Sequence, residues 1–182
     1  MTDNNSSAVS ADGSDPAPGS LRLVQSFANT LNADTDLLRG REEAAAWLHA
    51  AGLLPGESGL TNSEHAALLR LRESIRDVLA AHADEREDAD AAARLTRALA
   101  DGRLVLTVDS ASALHLASAA RASYPNVVAA IGIAIADAAA AGTWRRLKTC
   151  AAQHCGRAFY DATGSARCST HVAGGVTTGR SE

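Results

Sequence analysis

Apolar residues recur at helical intervals in two segments near the start of the chain. Residues 21–31 carry a broad apolar face typical of an amphipathic helix, and residues 41–51 form a shorter pattern that Gly52 is suited to end. Residues 1–19, in contrast, are mainly Ser, Asp, Asn, Gly and Pro. Such a segment buries too little apolar surface to offset its ordering entropy, so we expect a disordered N-terminal tail.

A longer helix is predicted next. It begins at a cap provided by Thr61, Asn62 or Ser63 and continues to about Ala83, with a leucine-rich stripe facing the core. Charged residues between the apolar positions, including Arg72, are expected on its solvent-exposed side. After a highly charged stretch, a fourth helix follows with alanine and leucine on one side.

The second half of the chain begins with a change of pattern. Residues 104–108 are β-branched or leucine-rich and lie between Gly102 and Asp109, which indicates a strand. Residues 114–116 are either its partner strand or the start of the next helix. Because a lone strand is not stable, we expect a small hairpin packed on the helices. Residues 127–141 then form a helix that is apolar nearly all round and is therefore expected to be central and buried.

This order of elements predicts a mainly α fold of the α+β class, a helical bundle-like domain with a small β-hairpin. Composition agrees, because aromatic residues are only 3% and the apolar content is mostly alanine and leucine. No apolar run reaches the roughly 18–20 residues that a membrane span needs. With no secretory signal visible either, we expect a cytoplasmic protein without membrane attachment.

Charge divides the chain into two parts. Residues 1–143 carry 11 basic and 19 acidic residues, a formal charge of −8, whereas residues 144–182 carry 6 and 2, a formal charge of +4. We therefore expect a helical domain over residues 20–143 and a basic module over residues 144–182. A basic module can bind a polyanion, or it can dock on its own acidic domain.

All three cysteines of the chain lie in the basic module. They are Cys150, Cys155 and Cys168, and His171 follows three residues after the last. Thiolates with an imidazole suit a tetrahedral Zn²⁺ site, and the segment has few apolar residues with which to fold without a metal. The fourth ligand is His171 or His154, and we favour His171 because His154 directly precedes Cys155. The alternative is a decayed site with three free thiols.

These residues resemble the CGNR-type zinc finger family. Residues 147–150 (Leu-Lys-Thr-Cys) and 155–161 (Cys-Gly-Arg-Ala-Phe-Tyr-Asp) match the first half of its motif, and residues 167–169 match the third ligand. The sequence departs from the motif at Ala173, where the family has its fourth cysteine, and Cys-Gly-Asn-Arg is replaced by Ala-Gly-Gly-Val.

The preceding part of the chain resembles the ABATE domain, which is the usual partner of such fingers. Residues 23–31 are similar to its opening apolar-Asn-Thr-Leu segment, and residues 45–53 are similar to its second helix. The resemblance implies a bacterial, stress-related, DNA-binding transcription regulator with a short zinc-ribbon-like finger and a structural zinc ion.

Five basic residues of the module are candidates for contacts with nucleic acid. Arginine forks and a lysine ammonium can bind phosphate oxygens, which gives salt-sensitive affinity without base readout. The candidates are Arg145, Arg146, Lys148, Arg157 and Arg167.

Two other functions stay open. An incomplete ligand set would leave reactive cysteines and make the protein a thiol redox or metal sensor. Alternatively, the helical domain binds a small molecule or a protein partner, and the finger is vestigial. On the apolar first helix, Asn29 and Thr30 either line a ligand pocket, cap a neighbouring loop or, as we favour, fix helix packing by a buried hydrogen bond. The sequence shows no phosphate loop, nucleophile elbow or paired carboxylates, so we expect no enzymatic activity.

Overall fold

The computed structural model describes residues 16–56, 58–119 and 123–172. Most of its regular structure is helical, with five helices of eight or more residues in the described part and one short C-terminal helix. In chain order they are α1 (Leu21–Ala28), α2 (Arg41–Ala50), α3 (Asn62–Ala83), α4 (Ala89–Leu99), α5 (Tyr124–Ala140) and α6 (Ser169–Val172).

Two antiparallel hairpins complete the fold. The first pairs β1 (Leu104–Val108) with β2 (Leu114–Ser118), and the second pairs β3 (Leu147–Thr149) with β4 (Ala158–Tyr160). A 3₁₀ turn, Trp144–Arg146, connects α5 to β3. The predicted α+β class with a small hairpin and a short finger is confirmed, and residues 114–116 belong to a strand.

Local signals place the helix ends. Thr61 caps α3 by accepting a hydrogen bond from the backbone N–H of Glu64, whose side chain accepts one from the backbone N–H of Thr61 in return. Helix α5 begins with a proline in its first turn, where a missing N–H does no harm. Helix α1 ends at Ala28, earlier than the apolar pattern predicted, because the chain turns at Asn29 and Thr30.

A single hydrophobic core connects the helices to the second hairpin. Helices α1, α3 and α5 contribute fully buried residues to it, such as Phe27, Ile75 and Ile131. Leu147 of β3 and Ala158 of β4 belong to the same core and are also fully buried. We call residues 16–143 the helical body and the described residues 144–172 the finger segment. The finger segment is thus packed into the body and shares its core.

One residue of the expected tail and one arginine expected on the surface are buried. Residues 1–15 of the expected tail lie outside the described residues, whereas Ala17 is fully buried and donates its backbone N–H to Gln25. The placement of Arg72 on the wet side of α3 is wrong. Its guanidinium is buried and forms a bidentate pair with Asp36, at 2.6 and 3.1 Å.

Within residues 16–56, 58–119 and 123–172, no helix is both long enough and apolar enough to cross a bilayer.

Candidate metal centre

The second hairpin places the first two cysteines. Cys150 directly follows β3, and its backbone N–H donates to the carbonyl of Arg157 at 2.8 Å, which continues the strand ladder. Cys155 lies in the tight turn that leads back to β4. The residues on either side of it, His154 and Gly156, have φ values of 63° and 55°, so the turn requires left-handed backbone there.

The short helix α6 supplies the other two side chains. Cys168 precedes α6, and the backbone N–H of His171 donates to the carbonyl of Cys168 at 2.8 Å. Residues three apart in a helical turn lie on the same face, so this turn directs both side chains toward the hairpin. The backbone N–H of Cys168 also donates to the Cys150 sulfur at 3.4 Å, which joins the two halves.

The four ligand atoms converge. Three sulfurs and one imidazole nitrogen, from Cys150, Cys155, Cys168 and His171, all lie within 4.8 Å of one another. The Sγ atoms of Cys155 and Cys168 are 4.0 Å apart, and Nδ1 of His171 is 3.2 Å from the sulfur of Cys168 and 3.6 Å from that of Cys150. Such a cluster could bind a metal ion, and it is consistent with a CGNR-type zinc finger.

The alternative fourth ligand does not reach the cluster. His154 is exposed at the turn before Cys155, and only His171 among the described histidines joins the three sulfurs. The family motif has its fourth cysteine at position 173, where this chain has alanine. His171, two residues earlier in α6, supplies an imidazole to the cluster instead.

The cluster is partly shielded from water. Cys150 and Cys168 are buried together with Phe159, which forms a small apolar cluster beneath the sulfurs. Burial raises the pKa of the Cys155 thiol to about 11. Burial also opposes ionisation of Cys150, but backbone N–H groups of Cys168 and Ala152 that point at its sulfur outweigh it and lower the pKa of that thiol. The pocket thus stabilises negative charge on Cys150 even without a metal ion.

A buried ion pair fixes the loop between the hairpin and α6. Lys148 Nζ lies 2.8 Å from Oδ2 of Asp161, and both residues are buried. The other carboxylate oxygen accepts three backbone N–H groups, from residues 163, 164 and 165. Burial would raise the pKa of Asp161, but Lys148 and these N–H groups together hold it below its usual value. The carboxylate therefore organises the loop as a charged group.

These contacts change the set of residues available to nucleic acid. Lys148 was expected to contact nucleic acid, but its ammonium is buried in the ion pair with Asp161 and does not face solvent. Arg146 is exposed but donates to the carbonyls of Asp161 and Ala162 and lies over the Tyr160 ring. Arg145 and Arg167 are exposed, and Arg157 is half-buried.

Asn29 attaches the finger segment to the helical body, a role that the sequence left among three alternatives. Its amide donates to the carbonyl of Ala158 at 2.9 Å and accepts the N–H of the same residue at 2.8 Å, so it acts as a strand partner for β4. The neighbouring Thr30 donates to the carbonyl of Phe27. Asn29 thus makes the contact with the finger segment, whereas the buried hydroxyl of Thr30 bonds within its own segment and accepts from Arg72.

His82 of α3 makes a second connection between the helical body and the finger segment. The sequence predicted no specific role for this residue. Its Nδ1 lies 2.9 Å from the carbonyl oxygen of Leu147, and its ring meets the edge of Trp144 at a centroid distance of 5.1 Å. Burial lowers the pKa of His82, and the positive charges of Arg145 and Lys148 act in the same direction. A polar residue at a helix end gives no local signal for such a distant contact.

Comparison with known proteins supports the resemblance to the ABATE domain. Comparison with curated proteins gives no match. The profile of one family, ABATE, matches residues 21–160 and thus includes the second hairpin with Cys150 and Cys155. Because the match covers most of the chain, the protein belongs to the ABATE family, whose description is "putative stress-induced transcription regulator".

Proposed function

We propose that the Cys3His cluster binds one zinc ion, which holds the finger segment in shape. Tetrahedral zinc with Zn–S bonds of about 2.3 Å and Zn–N bonds of about 2.0 Å requires ligand atoms roughly 3.5–3.8 Å apart. The separations of 4.0, 3.6 and 3.2 Å in the cluster are close to that requirement. The donor set also fits, because three thiolates and an imidazole favour zinc over hard cations.

The proposed role of zinc is structural. Four protein ligands complete a tetrahedron and leave no position for a water molecule or a substrate. The one carboxylate of the finger segment, that of Asp161, is bound to Lys148 and three backbone N–H groups and is not available as a general base. The proposal therefore assigns no enzymatic reaction to this site.

The finger segment is proposed to contact the DNA backbone. It carries five basic residues and one acidic residue between positions 144 and 172, on a body that is acidic overall. Of these, Arg145, Arg157 and Arg167 are at least partly exposed and can present guanidinium groups to phosphates. Together with family membership, this supports a regulator that binds DNA through the finger segment, while the helical body responds to a small molecule or a protein partner.

The DNA proposal is tested by salt dependence. Binding of a duplex fragment is measured by fluorescence anisotropy at several salt concentrations for the parent, Arg167→Ala and the matched control Arg97→Ala. Three phosphate contacts give a slope of log K against log salt of about −2.7, and each lost contact reduces its magnitude by about 0.9. Arg97 is exposed on α4, and its replacement should change nothing. No binding even at low salt, or equal slopes for all three chains, refutes the DNA proposal.

A second candidate function is a thiol sensor. The sulfurs of Cys155 and Cys168, 4.0 Å apart, can form a disulfide when hydrogen peroxide oxidises the two thiols. The peroxide takes up their two electrons and two protons and becomes two water molecules. Titration of thiols with and without a chelator separates the candidates. A structural zinc site protects all three thiols until zinc is removed, whereas a sensor reacts without chelator.

A further inference from the structure

The outer edge of the first hairpin is exposed and apolar. On β1, Leu106 and Val108 are 63% and 64% exposed, and Leu104 is 43% exposed. Soluble proteins usually cover or charge an apolar edge strand, because its free N–H and C=O groups can pair with another strand. An uncovered strand of this kind marks an interaction surface.

The hydrogen bonds of the hairpin show which backbone groups of β1 are free. Arg103 and Asp109, at its two ends, are each bonded to the strand opposite, through Ala119 and Ala113. In an antiparallel ladder the bonded residues alternate, so residues 105 and 107 also face β2. The N–H and C=O groups of Leu104, Leu106 and Val108 therefore point outward, and no hydrogen bond within the described chain reaches them.

We propose that β1 pairs antiparallel with β1 of a second copy of this chain, about a two-fold axis at Leu106. In this register Leu106 lies opposite its own copy, and Leu104 lies opposite Val108 of the second copy. These are the residues whose backbone groups point outward, so all three hydrogen-bonded pairs of the new ladder can form. The two hairpins then form one four-stranded sheet, and the interface is isologous.

The same register brings opposite charges together. Arg103 and Asp109 are each three residues from Leu106. Arg103 of one copy therefore lies opposite Asp109 of the second copy, and the symmetric pair forms on the other side of the axis. They occupy a non-hydrogen-bonded position of the new ladder, where opposed side chains are closest. Arg103 is exposed and has no ion-pair partner among the described residues. Asp109 is bonded within its own turn and to His115, and those bonds lower its pKa, so it carries a charge.

This pairing also gives the exposed side chains of β1 new apolar neighbours. Leu104 lies at the base of the hairpin beside α5, since a methyl group on Gly132 would be 3.9 Å from its Cδ1. Val108 lies at the tip. In the proposed register the tip of one copy lies next to the base of the other, so Val108 gains Leu104 as a neighbour near α5.

A second copy fits better than an unrelated strand. Any extended peptide could use the free backbone groups of β1. However, a positive residue and a negative residue placed symmetrically about Leu106 make the strand complementary to itself in the one antiparallel register that pairs all three outward-facing residues. This inference goes beyond the proposed function and does not depend on zinc or DNA.

Sedimentation equilibrium of the full chain tests the pairing with three charge variants. Arg103→Glu places two like-charged pairs across the axis and should weaken the dimer at least about tenfold. Arg97→Glu makes the same change of net charge on α4 and should leave the dimer unchanged. Leu114→Glu places a charge on the apolar face of β2, away from the paired edge, and should also leave it unchanged.

Each outcome decides the proposal. A parent that stays monomeric at all concentrations overturns it. A dimer weakened by Leu114→Glu and not by Arg103→Glu overturns it as well, because the copies then associate through the apolar face. If Arg103→Glu proves unfolded by circular dichroism, disulfide cross-linking replaces it. Leu106→Cys should form a covalent dimer because the opposed Cα atoms are about 5.5 Å apart, whereas Val105→Cys should give only the parent background. Equal cross-linking of both variants overturns the pairing.

Discussion

At the scale of single residues, a few polar side chains decide how the finger segment is attached. Asn29 binds both backbone groups of Ala158, and Gln25 donates to the same carbonyl at 3.3 Å. An amide is the side chain that can reproduce the donor and the acceptor of a neighbouring strand. The opening segment of the family resemblance therefore has a physical role, which is to dock β4 on α1.

The Asn29→Asp variant tests this role. A carboxylate can still accept the N–H of Ala158, but it cannot donate to the carbonyl and repels it, so the free energy of unfolding should fall by about 1–3 kcal/mol. Urea denaturation at neutral pH measures the change. Asn32→Asp is the matched control, because Asn32 is exposed and its Oδ1 accepts backbone N–H groups of residues 34 and 35, which a carboxylate oxygen can also do. Equal effects of the two substitutions would contradict the docking role.

Charged residues show where sequence reasoning fails at this scale. The pattern of α3 assigned Arg72 to solvent, and the charge of the finger segment assigned Lys148 to DNA. Each pairs instead with an aspartate distant in the sequence, Asp36 and Asp161 respectively. A buried charge is stable only when a partner lies beside it, and nothing in the local pattern indicates a partner 36 or 13 residues away.

At the scale of elements, the regular structure follows from local patterns. The helical period places α1 to α4, an apolar run places α5, and the Thr61 capping box sets the start of α3. A β-branched run between two turn residues marks the first strand of the first hairpin. The short strands β3 and β4 carry three residues each, which is too few for a period to be recognised. They form because they pack on α1 and α3, and such tertiary stabilisation is invisible in the local sequence.

The contact between α3 and β3 predicts a dependence on pH. Burial lowers the pKa of His82 below its ordinary value of 6.5, so the unfolded chain binds more protons than the folded chain as pH falls. The free energy of unfolding therefore keeps its full value above pH 6.5, where His82 is neutral in both states. It decreases as pH falls from 6.5 toward the lower pKa of His82 in the folded state.

Chemical denaturation between about pH 7.5 and pH 5.5 measures this loss relative to a variant. His82→Gln should lose less stability over that interval than the parent. His115→Gln, at an exposed histidine of the first hairpin, should lose as much as the parent. If His82→Gln and the parent change in parallel, His82 is not held neutral by burial.

At the scale of the whole molecule, the finger segment and the helical body are one packed unit. The family match across residues 21–160 includes the second hairpin, in agreement with a core shared by Leu147 and the helices. A vestigial finger would leave the body's stability unchanged when its packing is lost. The charge split in the sequence indicated two modules. It gave no sign of the shared core, because net charge reports on the surface and not on the core.

The Leu147→Ala variant tests the shared core. Leu147 is fully buried in the core of the helical body, so truncation should lower the free energy of unfolding by about 2–5 kcal/mol and shift the transition of the whole protein. Leu37→Ala is the matched control, since Leu37 is 45% exposed and its truncation should cost well under about 1 kcal/mol. Far-ultraviolet circular dichroism monitors the unfolding of the helices. If their transition is unaltered and only the finger segment changes, the core is not shared.

The metal cluster combines what the sequence predicted and what it left open. Spacing alone brought Cys150, Cys155 and Cys168 to attention, since clustered thiols are typical of zinc sites. The choice between His171 and His154 depended on the path of the chain, and only the turn of α6 brings an imidazole within 3.2 Å of a sulfur. A helical turn of four residues is too short to predict from its pattern.

Elemental analysis of zinc per chain in the untagged protein tests the central claim most directly. The parent should contain one zinc ion, Cys168→Ser and His171→Ala should lose it, and His154→Ala should retain it. This result would establish a Cys3His zinc site in which His171 replaces the missing cysteine. A parent without zinc, or a His171→Ala variant that keeps as much zinc as the parent, would contradict the account.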